Sequence, residues 1–151
     1  MKTVFVSCIA SVLFVSAIDA ASAGDWPGFR GPNGSGIGEG EKLPLKWSNK
    51  ENLQWKTKLP GPGSSSPITV GDKVFVTCYS GYGESYDNPG SQDNLKRHLV
   101  CIDQKSGKIL WDKSVKATVR EDRFSGIGIP EHGYSSSTPV SDGDNIYGSS
   151  D

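Results

Sequence analysis

The chain lacks several features that would fix its chemistry at once. It holds three cysteines and two histidines in 151 residues, with no CxxC, no CxxCH and no Cys/His cluster of zinc spacing. Zinc ribbons, c-type haem attachment and vicinal-dithiol redox chemistry are thereby left out. Charge of one sign is not in excess: 16 Lys and Arg against 17 Asp and Glu give a formal net charge of −1. That excludes a strongly basic nucleic-acid binder. There is no GxSxG elbow, no Ser-x-x-Lys pair and no GxxxxGK[ST] phosphate loop. The pairs Asp87-Asn88 and Asp93-Asn94 lack the ligand spacing of a calcium loop, and no metal site is read. The Ala/Leu/Glu/Lys pattern of a helical bundle is absent too.

What is present is glycine, proline and aromatic side chains. Gly 19 and Pro 9 make about 19% of the chain, short of the ~25–30% of low-complexity sequence. Four Trp, five Tyr and five Phe are too many for a disordered polyelectrolyte. Interspersed β-branched and aromatic residues with abundant glycine point to a β-rich, turn-rich protein.

Residues 1–23 read as a signal peptide. Lys2 is followed by an uncharged apolar stretch, Thr3 to Ile18, and then by the small residues Ala21-Ser22-Ala23. The uncharged stretch is 16 residues, whereas a membrane-spanning helix needs about 20. The expectation is export, to the periplasm or beyond, after cleavage near Ala23, with no membrane span. Cys78 and Cys101 then remain in an oxidising compartment, where an even count permits a disulfide; buried free thiols fit equally.

The remainder is organised by an internal repeat. Ser66-Pro67-Ile68-Thr69-Val70-Gly71-Asp72-Lys73-Val74-Phe75 is echoed 72 residues later by Thr138-Pro139-Val140-Ser141-Asp142-Gly143-Asp144-Asn145-Ile146-Tyr147. Serine runs precede both copies. A second echo sets Leu53-Gln54-Trp55-Lys56 against Leu110-Trp111-Asp112-Lys113. Self-similarity on this scale suggests stacked units that cannot bury their faces alone. The unit reads as four strands: Ser65–Val70, Lys73–Tyr79, His98–Asp103 and Lys108–Val115. Tight turns at Val70–Lys73 and Gln104–Gly107 join the first pair and the last pair.

Gly107-Lys108-Ile109-Leu110-Trp111 after Ile102-Asp103-Gln104-Lys105-Ser106 resembles the repeat of pyrroloquinoline-quinone-type propellers. Asp25-Trp26-Pro27-Gly28-Phe29-Arg30-Gly31-Pro32 and Glu131-His132-Gly133-Tyr134 are similar to segments of exported bacterial quinoprotein-like propeller proteins. The resemblance covers most of 24–147. It implies an all-β fold: a partial β-propeller of about one and a half four-stranded antiparallel blades. On that reading residues 24–63 are an N-terminal strap and leading strand, with Trp26 and Phe29 as apolar anchors. Residues 64–116 are the first complete blade, 117–135 a long inter-blade loop, and 136–151 the start of a next, truncated blade.

In an antiparallel meander the two long connections, Ser80–Arg97 and Lys116–Tyr134, leave the sheet at the same end. Long loops of this kind are usually functional or disordered. The candidate ligand residues there are Tyr82, Tyr86, Arg97, Arg123, Glu131, His132 and Tyr134. His98 reads as a solvated strand-end residue, and the serine runs as small residues crowding an inner strand. The function expected is an exported propeller module, a non-catalytic binding or scaffold protein for an unknown protein or small molecule. It resembles the propeller of the outer-membrane assembly machinery in fold only. No cofactor is evident. The alternative is a quinoprotein dehydrogenase oxidising alcohols or polyvinyl alcohol, which would require pyrroloquinoline quinone and calcium.

Overall fold

The computed structural model describes residues 24–38 and 43–149. The expected signal peptide lies outside them. Four strands form one antiparallel sheet in the order β1 (Ile68–Val70), β2 (Lys73–Ser80), β3 (Lys96–Asp103), β4 (Ile109–Lys116). A second, two-stranded sheet pairs β5 (Val140–Ser141) with β6 (Ile146–Tyr147). The helical elements are short: 3₁₀ turns at Pro32–Gly34 and Gln92–Asn94, and one α-helix, α1, at Gly128–His132. The protein is therefore all-β, and no helix among the described residues is long and apolar enough to cross a membrane.

Turn chemistry sets the meander. Gly71 (φ 57°) lets the β1–β2 turn close at Val70↔Lys73. In the β3–β4 turn the Asp103 carboxylate accepts from the Ser106 hydroxyl and backbone N–H. The Ser106 side chain, and then its amide, hold that carboxyl below its usual range. Gly107 (φ 72°) completes the turn. A Cβ there would meet the Trp55 ring at 2.5 Å, so the glycine both adopts the left-handed region and makes room for the indole. Trp55 Nε1 donates to Gln104 O (2.8 Å) and Gln54 Nε2 to Lys105 O (2.9 Å), pinning the leading segment to this turn.

The repeat is reproduced as geometry. Ile68↔Phe75 and Thr69↔Val74 in the first hairpin become Val140↔Tyr147 and Ser141↔Ile146 in the second. Ser66 N donates to Thr138 Oγ1 (3.0 Å), its equivalent at a separation of 72. Each face of the four-stranded sheet is covered by a different part of the chain. Ile68, Phe75 and Cys101 pack with Val70, Leu99, Trp111 and Ile146 of β6. On the opposite face Cys78, Val100 and Ile102 pack with Val74, Val76 and Ile109, and with Trp55 and Leu59 of the leading segment. Coverage on both sides explains why the Val74-Phe75-Val76 run is continuously apolar.

The cysteine alternative is settled, and one expectation needs correction. Cys78 and Cys101 do lie on adjacent strands, but Cys78 faces His98 and Cys101 faces Phe75 in register. Alternation along the strands sends the two side chains to opposite faces. Both are free buried thiols and form no disulfide. Phe29 is not an anchor, being 69% exposed; Trp26 is half-buried and bridges to Thr69. Trp111 is largely buried against the Ile68, Phe75 and Cys101 cluster. Its ring meets Phe75 (centroids 5.9 Å) on one side and the Lys113 ammonium (5.2 Å) outside.

Candidate functional site at the loop end of the sheet

Register brings the ends of β2, β3 and β4 together. Ser80 pairs with Lys96, and Lys96 with Lys116. Both long connections therefore leave from one end, and they fold onto each other. Tyr79, Tyr82, Leu95 and Tyr134 form a buried cluster against Ala117, Phe124 and Ile129. Tyr134 packs edge-on against Tyr79 (5.4 Å, 87°) and at a tilt against Tyr82 (5.4 Å). Its hydroxyl donates to Asp122 O (2.8 Å), while Phe124 N–H donates to Tyr82 Oη (3.0 Å). Burial pushes the Tyr134 phenol well above its ordinary range. The Phe124 amide instead holds the Tyr82 phenol below its own.

These contacts sort the candidate ligand residues. Tyr82 and Tyr134 are interior packing groups. Arg97 is held inside as well: its Nε donates to Tyr134 O (3.0 Å), and its guanidinium pairs with Glu121 where both side chains are mostly buried. Tyr86 is exposed, packed at a tilt against Phe124 (5.3 Å) with its hydroxyl donating to Gly126 O (2.6 Å). Glu131 and His132 stand exposed in α1, where consecutive side chains diverge by about 100°, and they do not meet. Of the seven, Arg123 and Tyr82 line a cleft between the two loops.

That cleft, about 590 Å³, is bounded by Tyr82 and Gly90–Asp93 of the first loop and by Lys116–Arg120 and Arg123 of the second. A neighbouring recess of about 400 Å³ is lined by Ser80, Gly81, Asp93, Asn94, Lys96 and Lys116. The two share Asp93 and Lys116. Lys96, Lys116, Arg120 and Arg123 thus line these two adjoining recesses, where Asp93 is the only lining carboxylate among the described residues. Like charges directly across a strand pair repel, and none of these four cations is in an ion pair among the described residues. Gln92 lines the same cleft. Its Nε2 donates to Glu121 O (2.8 Å), while its Oε1 is the one buried side-chain atom without a hydrogen-bond partner among the described residues. Leaving such an acceptor unmet costs about 1–3 kcal/mol.

His98 is where the structure departs furthest from the sequence reading. It is not a solvated strand end: it is 9% exposed, within β3. Its Nε2 lies 2.8 Å from Ser80 Oγ, and its Nδ1 lies 2.9 and 3.0 Å from the two Asp112 carboxylate oxygens. A β-bulge between Cys101 and Ile102 makes this possible. In an unbroken hairpin continued from Ile102↔Ile109, Cys101 would face Leu110 and Val100 would face Trp111. The extra residue instead sets Cys101 against Trp111 and Val100 against Asp112. Trp111 thereby turns to the Phe75 face and Asp112 to the face of His98.

No protein-family profile matches the chain, and no curated protein or solved structure matches it.

Proposed function

We propose that the chain is an exported repeat module of propeller type that binds an anionic ligand at the loop end of its first blade. Two matched hairpins in one register, offset by 72, support the repeat architecture. One observation carries the binding reading: among the described residues, four cations line two adjoining recesses against a single carboxylate. Concave surface lined with one sign of charge concentrates field and attracts counter-charged ligands. Gln92 in the same lining offers a side-chain amide, which favours an anion that also brings a hydroxyl, such as a hydroxy-carboxylate or an acidic sugar. The dehydrogenase alternative has less to stand on. It would need pyrroloquinoline quinone and calcium, and the described residues include no group of three or more His, Cys, Asp or Glu able to hold a metal ion.

The test is calorimetric titration with citrate, which carries both chemistries. Binding should weaken at high salt and be lost in an Arg120→Glu/Arg123→Glu variant, both of whose native side chains are exposed. Absence of binding at low salt, or binding unchanged by charge reversal, would reject the reading.

A further inference from the structure

We infer that Ser80, His98 and Asp112 form an acyl-transfer triad, with Ser80 as nucleophile. The three residues come from three adjacent strands, and alternation puts them on one face of the sheet. A carboxylate can only accept, so His98 must carry its proton on Nδ1, toward Asp112. In the neutral imidazole Nε2 is then a lone pair, and across the 2.8 Å contact Ser80 O–H donates to it. Nucleophile to base and base to orienting carboxylate is the arrangement by which serine hydrolases are recognised on unrelated folds, by geometry and not by chain order. The order here is Ser80, His98, Asp112.

Access and burial agree with these roles. His98 is shielded from water and Asp112 is partly covered, while Ser80 lines the recess with Lys96 and Lys116. By register, both lysines lie on the Ser80 face of the sheet end. Attack by Ser80 Oγ on a carbonyl forms the Oγ–C bond and passes the serine proton to His98 Nε2. Collapse breaks the bond to the leaving alkoxide, which takes that proton. Water then repeats the sequence on the acyl-serine, releasing the acid and restoring Ser80. Asp112 is a positioning residue, acting through the imidazole. The substrate class is a carboxylic ester bearing a negative charge, which the Lys96 and Lys116 ammoniums attract. This last step rests on the proposed anionic cleft; the triad does not.

The experiment uses the full chain and a neutral alkyl fluorophosphonate. Ser80 Oγ should displace fluoride, with His98 taking the proton, giving one phosphonyl adduct mapped by peptide mass to Ser80. Asp112→Asn, checked for an unchanged melt, should label at least about 100-fold more slowly, because the amide no longer enforces the tautomer. No adduct, an adduct on another residue, or an Asp112→Asn chain labelled at the wild-type rate overturns the triad. Separately, 4-nitrophenyl hemisuccinate should be cleaved about tenfold faster than 4-nitrophenyl acetate at low salt. Acetate preference with Ser80 still labelled would overturn the substrate class alone.

Discussion

Replacing Tyr134 separates the two ways the long loops are held together. Its ring is 7% exposed and touches Tyr79, Tyr82 and Phe124, and its hydroxyl makes one hydrogen bond, to Asp122 O. A buried aromatic side chain removes about 200 Å² from water, worth about 5 kcal/mol at ~25 cal/mol per Å² as an upper figure. Truncation of a buried aromatic to alanine costs about 3–5 kcal/mol in practice. Removing the hydroxyl alone forfeits one neutral hydrogen bond, about 1 kcal/mol, because a carbonyl at the cluster's edge can be re-solvated. Tyr134→Ala should therefore lower stability about three to five times as much as Tyr134→Phe. Urea melts followed by tryptophan fluorescence give both values. Amide exchange should show faster opening of 117–134 in the alanine variant while β2 and β3 stay protected. Equal losses from the two variants, or a neutral Tyr134→Ala, would mean that packing of these rings does not join the loops.

Three other outcomes follow from particular groups. Gly107→Ala should destabilise by at least about 2 kcal/mol, since a Cβ at φ 72° is strained and would displace the Trp55 ring; a thermal melt within error of wild type would show that the segment moves freely. Cys78 and Cys101 should resist a disulfide-exchange reagent in the native state and react fully in denaturant, as burial raises both thiols above their ordinary values; rapid native reaction would contradict that burial. Asp142 accepts from the Asn145 amide, the Tyr147 hydroxyl and the Asp144 amide, and these lower its carboxyl from 3.8 to about 2. Its folded value lies below the unfolded one, so its contribution is full above about pH 4 and disappears as pH falls through about 2. Protection of the Asp144 and Asn145 amides, taken relative to intrinsic exchange at each pH, should fall across that window in wild type and stay constant there in Asp142→Asn.

The sheet was legible because its determinants are local. Gly71-Asp72 and Ser106-Gly107 sit where left-handed or capped turns are needed, and the strands they join alternate or run apolar accordingly. The shared end of the two long loops follows from antiparallel parity alone. The site was less legible because its determinants are long-range. The first loop is polar in composition, and only folding against 117–134 turns Tyr82 into a core residue. The pairing of His98 with Asp112 hangs on a one-residue bulge near Leu110 that no local signal announces. One clue was available: counting β2 against β3 from Lys73↔Asp103 sets Ser80 two positions beyond the partner of His98. The short helix ending at His132 was hidden by Gly128 and Pro130, which read as loop residues although proline is tolerated in a first helical turn.

The central claim is that the loop end of this sheet is the ligand-binding surface. Its most direct measurement is a nitrogen–proton correlation spectrum of the labelled chain titrated with citrate at low ionic strength. Shift changes should concentrate at Ser80–Gly81, Gly90–Asn94, Lys96 and Lys116–Arg123, and saturate together with one affinity. Changes centred instead on the opposite turns, at Gly71 and Gly107, or scattered without saturation, would contradict it.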